Sequence, residues 1–310
     1  MNANSAAYGS YRLALSLIGG ACLAGVSGCA HYAAAPLALD RTGAGIQART
    51  LGNDDLRQYL VANLGRDFST APAEWDFEAL CWVAFYYNPS LELARAQWAA
   101  AQAGVRTAGA RTNPTLTLTP GFNANAENGV SPWMPAVNFD FLLETSGQRA
   151  QRTALAKFGE ESSRQNVLAA AWQVRGELRR ALVELALAGA RVGQLQAQAD
   201  LQQRLADLLE QRLAAGAMAR REVMAARLVA RKAVAAVEEA ARQIPLARLR
   251  VAQVLGLPVA AIAELKFALP AAVALAPGQI MAARRAALQA RADVLVALAR
   301  FEASQTALEQ

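Results

Sequence analysis

Leu178-Arg-Arg-Ala-Leu182-Val-Glu-Leu185-Ala-Leu-Ala-Gly189-Ala-Arg-Val192-Gly-Gln-Leu-Gln196-Ala-Gln-Ala199 lies inside a stretch from Gly147 to Leu213 that no proline interrupts. Leu178, Leu182, Leu185, Gly189, Val192, Gln196 and Ala199 step alternately by four and three, the 3.5-residue period of a coiled-coil seam. At 1.5 Å per residue the stretch predicts one helix of about 100 Å, a length that demands a coiled-coil partner or a helical barrel. Leu195, Leu201, Leu205 and Leu208 make a neighbouring apolar stripe. Two stripes suit a helix with neighbours on both sides, as in a ring of helices.

Downstream, Arg212-Leu-Ala-Ala-Gly216 ends the helix, with Gly216 placed to adopt the left-handed cap conformation. A return helix is predicted from about Arg221 to Leu255, carrying Val223, Val234, Val237, Ile244, Leu249 and Val254. Pro245 should kink it, and Gly256-Leu-Pro258 should end it. Residues 259–280 read as a connection, after which a helix restarts near Met281.

Upstream the period changes. Thr115-Leu-Thr-Leu-Thr119 and Ala136-Val-Asn-Phe-Asp-Phe-Leu142 alternate polar and apolar residues, the mark of strands with two unlike faces. Leu116, Leu118, Val137, Phe139 and Phe141 would line one face, and Thr115, Thr117, Asn138 and Asp140 the other. The pair either covers a soluble core or enters a membrane barrel, and the barrel requires several copies to assemble. Before the strands, Asp76 can cap a helix over Phe77 to Tyr87, Asn88-Pro89 breaks it, and a second helix follows from about Ser90 to Arg111 with Leu91, Ala94, Trp98, Ala101 and Val105 on one stripe. This second helix has an echo near the C-terminus: Trp98, Gln102 and Val105 fall on Phe301, Gln305 and Leu308 at one constant offset. Such an echo predicts a fold of two similar halves.

The N-terminus reads as an export signal. Arg12 precedes the apolar run Leu13 to Val26, too short to span a bilayer as a helix, and Val26-Ser27-Gly28-Cys29 follows with small residues at a cleavage point. Residues 30–72 show no sustained period and read as a linker, with one short helix near Asp54 to Asn63. Across the 310 residues the charge of +6 comes almost wholly from arginine, with lysine only at Lys157, Lys232 and Lys266. Those arginines are interleaved with Glu along helical faces, as on solvated helices, and a nucleic-acid partner is not expected. Cys22 and Cys29 belong to the N-terminal region and Cys81 stands alone on an apolar stretch, so neither a disulfide framework nor a metal site is expected. His31 is the one histidine, and no nucleophile–base set can be assembled; neither an enzyme nor a cofactor is expected.

Taken together, Asn88-Pro-Ser-Leu91, the strand pair, Glu144-Thr-Ser-Gly-Gln-Arg149, Arg212-Leu-Ala-Ala-Gly216, Leu255-Gly-Leu-Pro258 and Arg291-Ala-Asp-Val294 resemble the outer-membrane factor (TolC-like) family of efflux channels from about Trp75 onward. Glu144 to Arg149 looks most like the branch with the CzcC-type metal-efflux channels. Val26 to Cys29 resembles a bacterial lipobox, which implies acylation of Cys29 and, with Ala30 following, an anchor in outer-membrane lipid. The resemblance implies a mainly α fold: a long antiparallel coiled-coil hairpin, part of an α-barrel tunnel, with one inserted strand pair of a trimeric transmembrane β-barrel. It divides the chain into a signal peptide (1–28), an acylated N-terminus and linker (29–74), a first repeat (75–258; strand pair 115–142, hairpin 147–255), a linker (259–280) and the start of a second repeat (281–310). It further implies a homotrimer that exports small molecules or metal ions with a periplasmic adaptor (membrane fusion) protein and an inner-membrane pump. Arg212, Leu213, Gly216, Ala217 and Met218 would form the adaptor-docking tip, and Asn138 and Asp140 would face the lumen. The second strand pair and second hairpin of the family are absent. Three copies would supply six strands rather than twelve, too few for a conducting barrel, so the chain reads as a truncated member, or one that pairs with a separately encoded remainder. The competing class is a periplasmic coiled-coil scaffold or adaptor-like lipoprotein that forms no pore.

Overall fold

The computed structural model describes residues 38–68, 70, 72–123, 133–269 and 276–308. Its elements in chain order are α1 (Leu39–Gln47), α2 (Asp54–Leu64), α3 (Phe77–Tyr87), α4 (Pro89–Gly109), β1 (Thr115–Thr119), β2 (Ala136–Asp140), α5 (Gln148–Ala214), α6 (Arg220–Ala241), α7 (Gln243–Leu255), a 3-10 turn (Val259–Ile262), α8 (Pro277–Ala290) and α9 (Ala292–Leu308). The chain divides into two compact units between Gly45 and Ile46. Within the first, residues 38–45 are described and enter α1, which buries none of its residues. The second unit carries everything from Ile46 onward.

The expected long helix is present as α5, 67 residues without interruption. Its return path is α6 and α7, parted at Arg242 three residues before Pro245. Proline has no amide hydrogen, and its ring crowds the carbonyl one turn earlier, so the break falls where the chemistry requires. Along the hairpin α5 turns inward Ala188, Val192, Leu195, Ala199, Gln202, Ala206, Leu209 and Leu213, steps of four and three throughout. At Gly189 and Gln196 the expected seam is therefore displaced by one residue and both are exposed, while Val192 and Ala199 stay in it. Two successive three-residue steps, Leu182 to Leu185 to Ala188, produce the displacement. They occur near the break in the return helix, where Ala188 and Arg191 line one small cleft with Ala240 and Gln243. Facing the α5 seam are Val223, Ala226, Ala230, Ala233, Val237 and Ala240 of α6, again at heptad steps. Small residues on both sides let the backbones approach closely, and the exposed ion pairs Arg227–Glu210 and Arg250–Glu184 cross the seam.

The largest buried cluster lies where the hairpin's open end meets α2, α3 and the 3-10 turn. It includes Leu56, Leu60, Trp75, Leu80, Val83, Leu178, Leu182, Val251, Leu255 and Ile262. Each fully buried Leu or Ile contributes about 1.5–3 kcal/mol. Two expected linkers take part. Leu56 and Leu60 of α2 are wholly buried, so residues 46–68 are folded rather than a spacer. Beyond the return helix, Ile262 is buried and Phe267 bridges to Trp75. The short helix expected near Asp54 to Asn63 is present as α2, but neither segment is long enough for its pattern to show that it packs into the core.

A backbone contact closes this core. Gly256 ends α7 with φ +70°, and a Cβ there would stand 2.3 Å from the carbonyl oxygen of Tyr87. At the neighbouring break Asn88 is buried; its Oδ1 accepts from the amides of Ser90 and Leu91 at 2.9 and 3.4 Å, and its Nδ2 donates to the Val254 carbonyl at 2.8 Å. Arg49 donates to the carbonyls of both Tyr87 and Gly256, at 2.9 and 3.2 Å.

The C-terminal echo is visible in the backbone. Asn88 separates α3 from α4 with φ −68° and ψ 123°, and Arg291 separates α8 from α9 with φ −69° and ψ 129°. Both α4 and α9 pack on α5, but by opposite faces. Helix α4 turns inward Leu91, Ala94, Trp98, Ala101 and Val105, whose counterparts Val294, Ala297, Phe301, Ser304 and Leu308 are exposed. Helix α9 instead buries Val296 and Ala299, whose counterparts Leu93 and Ala96 are exposed on α4.

Gly256→Ala should destabilise the fold by more than about 3 kcal/mol in urea unfolding followed by circular dichroism, because strain at positive φ adds to a clash with backbone that cannot move aside.

Candidate functional site

Two parts of the molecule lie away from the core and expose apolar side chains: the strand pair and the hairpin tip. In the strand pair, Thr115 opposes Asp140, Leu116 opposes Phe139, Thr117 opposes Asn138 and Leu118 opposes Val137. Opposed residues share a face, so Leu116, Leu118, Val137 and Phe139 lie on one side and Thr115, Thr117, Asn138 and Asp140 on the other. Beyond the ladder Phe122 bridges to Trp133 in the same register, and their rings meet edge to face at 5.1 Å. That register sets Pro120 opposite Pro135, where neither residue has an amide hydrogen to give and the ladder lapses. Counting the aromatic bridge, the paired segment spans eight residues per strand, about 26 Å at 3.3 Å per residue. Every residue of β1 and β2 is exposed, and the apolar face is covered by no other described element.

At the base of the strands one arginine ties the helices together. Arg152, on the first turns of α5, donates Nε to the Ala108 carbonyl at 2.9 Å and Nη2 to the Ala110 carbonyl at 3.2 Å. Its Nη1 meets Glu144 Oε1 at 2.6 Å, and the Glu144 side chain is only 12 % exposed. This staple fixes where the chain leaves α4 for β1 and where it re-enters α5. Sequence reading placed Glu144 in a family segment without assigning it a partner; the signal available was a lone carboxylate eight residues ahead of an arginine.

At the opposite end of α5, Gly216 takes φ +72° and its amide donates to the Leu213 carbonyl at 2.9 Å, while the Ala217 amide donates to Arg212, also at 2.9 Å. This pair of bonds is a Schellman cap, and no other part of the chain lies within 4 Å of where a Gly216 Cβ would be. Arg212, Gly216 and Ala217 are exposed, Leu213 and Met218 half-buried. The structure thus brings all five expected tip residues together on one turn. Asn138 and Asp140 sit on the shared polar face of the strands, far along the chain from the tip. Cys29 and His31 lie outside the described residues. Cys81 is buried, and burial pushes its thiol up to about 11 despite the nearby Arg175 guanidinium. Among the described residues no group of His, Cys, Asp and Glu is placed to hold a metal ion, and no helix is long and apolar enough to cross a membrane.

A sequence profile of the outer membrane efflux proteins matches residues 84–257, the helix α4, the strand pair and the whole hairpin. The chain belongs to that family. Solved outer-membrane channels share the fold. The outer membrane protein VceC of Vibrio cholerae superposes with a TM-score of 0.61 at 22 % identity, over 74 % of this chain and 57 % of its own. The outer-membrane channel OprN gives 0.60 at 20 % identity, over 84 % and 61 %, and the CmeC channel of Campylobacter jejuni 0.59 at 14 %, over 74 % and 51 %. The chain spans less than two thirds of the length of each of these channels. No curated sequence matches it significantly.

Arg152→Ala should lower stability by about 2–3 kcal/mol in urea unfolding, since it strands a largely covered carboxylate and two helix-end carbonyls at once. Arg152→Lys should recover only part of the loss, because one ammonium cannot reach three acceptors as a planar guanidinium does.

Proposed function

We propose that this chain is a structural component of an outer-membrane channel serving a tripartite efflux assembly, and that it acts as one of several protomer segments closing a ring of helices. The observation that carries this reading is the use of opposite faces by α4 and α9. Each helix of this type has one apolar face for the long helix of its own repeat and a second for the long helix of the repeat before it. In α4 the second face, with Leu93 59 % exposed, has no described neighbour; in α9 the first face, with Phe301 58 % exposed, has none. Outward-facing Leu201, Leu205 and Leu208 of α5, with Met224 and Leu228 of α6, are further apolar surface for adjacent hairpins.

On this reading the strand pair joins those of other copies in a trimeric barrel. Its apolar side, Leu116, Leu118, Val137 and Phe139, meets lipid, and Asn138 and Asp140 line the lumen. The turn at Arg212, Leu213, Gly216, Ala217 and Met218 docks on a periplasmic adaptor that couples to an inner-membrane pump. Gly216 brings backbone to the surface, and Leu213 and Met218 supply apolar contact beside the Arg212 charge. Cys29 carries an acyl anchor that holds the N-terminus at the membrane after signal removal. The cargo is a small molecule or metal ion passed on by the pump.

The test is Leu93→Glu, a change at an exposed site that should leave the unfolding free energy within about 0.5 kcal/mol. Wild type is expected in the outer-membrane fraction as a heat-modifiable trimer, and the variant is expected to lose the trimer. A soluble monomeric wild type, or a variant that assembles normally, overturns the ring.

A further inference from the structure

The segments that join the strands to the helices, at 111–112 and 141–147, enclose with the first turns of α5 a cleft of about 670 Å³. It lies where α4 gives way to β1 and where β2 gives way to α5. Its chemistry is two-sided. Phe141, Leu142 and Leu143, the residues that follow β2, are 56 %, 62 % and 74 % exposed along one side. Arg111, Arg149 and Lys157 line the rest, all three exposed. The one carboxylate in the lining, Glu144, is held by Arg152. None of the three cations has a carboxylate partner among the described residues, so the cleft presents unbalanced positive charge beside bare apolar surface.

Elsewhere on the hairpin several arginines are paired with carboxylates: Arg164–Glu161, Arg227–Glu210, Arg242–Glu239 and Arg250–Glu184. The tip has arginines as well, but the exposed leucine run is missing there. A ligand that satisfies the cleft needs an anionic group to sit among Arg111, Arg149 and Lys157 and an apolar portion to cover Phe141, Leu142 and Leu143. Its position is equally specific. The cleft opens at the end of the strands next to the helices, the level at which a strand pair inserted in a bilayer passes through the headgroups.

We infer that this cleft is a headgroup site for an anionic phospholipid of the leaflet facing the helical part, an inference that rests on the strand pair entering a bilayer. The lipid phosphate lies against the three cations and the first part of its acyl chains covers Phe141 to Leu143. Basic side chains near a membrane surface attract acidic lipid in this manner, each adding to the others. Bound there, the lipid fixes the depth of the strands relative to α5 and shields charge that neighbouring protomers would otherwise bring close together.

The experiment uses the full chain purified in a nonionic detergent. Short-chain phosphatidylglycerol, short-chain phosphatidylcholine and inorganic phosphate are each titrated in and read by native mass spectrometry. Phosphatidylglycerol should be retained about tenfold better than phosphatidylcholine, and inorganic phosphate should not displace it at matched concentration. Arg111→Gln/Arg149→Gln/Lys157→Gln should erase the preference with an unchanged melting curve. A control of equal charge loss at the tip, Arg212→Gln/Arg220→Gln/Arg221→Gln, should keep it. No preference in wild type, an unaltered preference in the cleft variant, or equal loss in the tip control overturns the site. Displacement by inorganic phosphate shows a free-anion site and overturns the lipid. Trimer formation is measured on the same preparations: a chain that keeps the headgroup preference without forming a trimer contradicts the channel reading alone, and one that forms the trimer without the preference contradicts the lipid site alone.

Discussion

The meeting of Gly256 with the Tyr87 carbonyl is the constraint on which the rest of the structure depends. It brings the end of the return helix onto the break between α3 and α4, two points separated by most of the repeat. A side chain at 256 would fill the space that the Tyr87 backbone occupies. Asn88 then uses both ends of its amide, capping α4 with its oxygen and holding the Val254 carbonyl with its nitrogen. Arg49 binds the two carbonyls that remain. Because the hairpin's open end is fixed here, α5 and its return path leave the core in a defined register, and everything at the tip and strands inherits its position from this joint.

From that joint outward the structure exposes apolar surface in an ordered way. The core at the open end is closed by large side chains, Leu80, Leu178, Leu182 and Leu255 among them. Farther along, the seam mixes alanine and valine with a few leucines, and Leu201, Leu205 and Leu208 are turned outward. A monomer gains nothing from Leu201, Leu205 or Leu208 in water, and the same holds for the apolar face of the strands. The opposite burial of α4 and α9 gives this surface a consistent meaning, since one helix type is built with two packing faces and each copy here has only one of them filled. Covering such faces with further hairpins buries apolar area that the chain by itself leaves wet.

Much of this was legible in the residues. The absence of proline from Gly147 to Leu213 marked α5 within one residue at each end, Gly216 marked the turn, and Pro245 marked the break in the return helix. Period-two alternation identified both strands and divided their faces, because that signal needs only five residues. Past Leu185 the seam kept Val192 and Ala199 but took Gly189 and Gln196 for Ala188 and Leu195, because a strict alternation of four and three cannot show the extra three-residue step where the helix changes neighbours. Within residues 46–68 the short helix was legible but its place in the core was not: Leu56 and Leu60 are buried by contacts with elements distant in sequence, and a helix of 11 residues shows only two buried positions. The Arg152 staple and the Arg49 bridge bind backbone carbonyls. Such acceptors leave no mark on a sequence, so these two arginines could not be told from those on the solvated faces.

The central claim, that the strand pair is a membrane element with two differently wetted faces, is tested most directly by quenching. Thr117→Cys and Leu118→Cys are labelled singly with a small fluorophore and the assembled chain is placed in vesicles. The label at Leu118 should be quenched by brominated lipid and ignored by aqueous iodide, and the label at Thr117 should show the reverse. Equal quenching of both by iodide would mean that the strands stand in water on both sides, and the membrane assignment would be wrong.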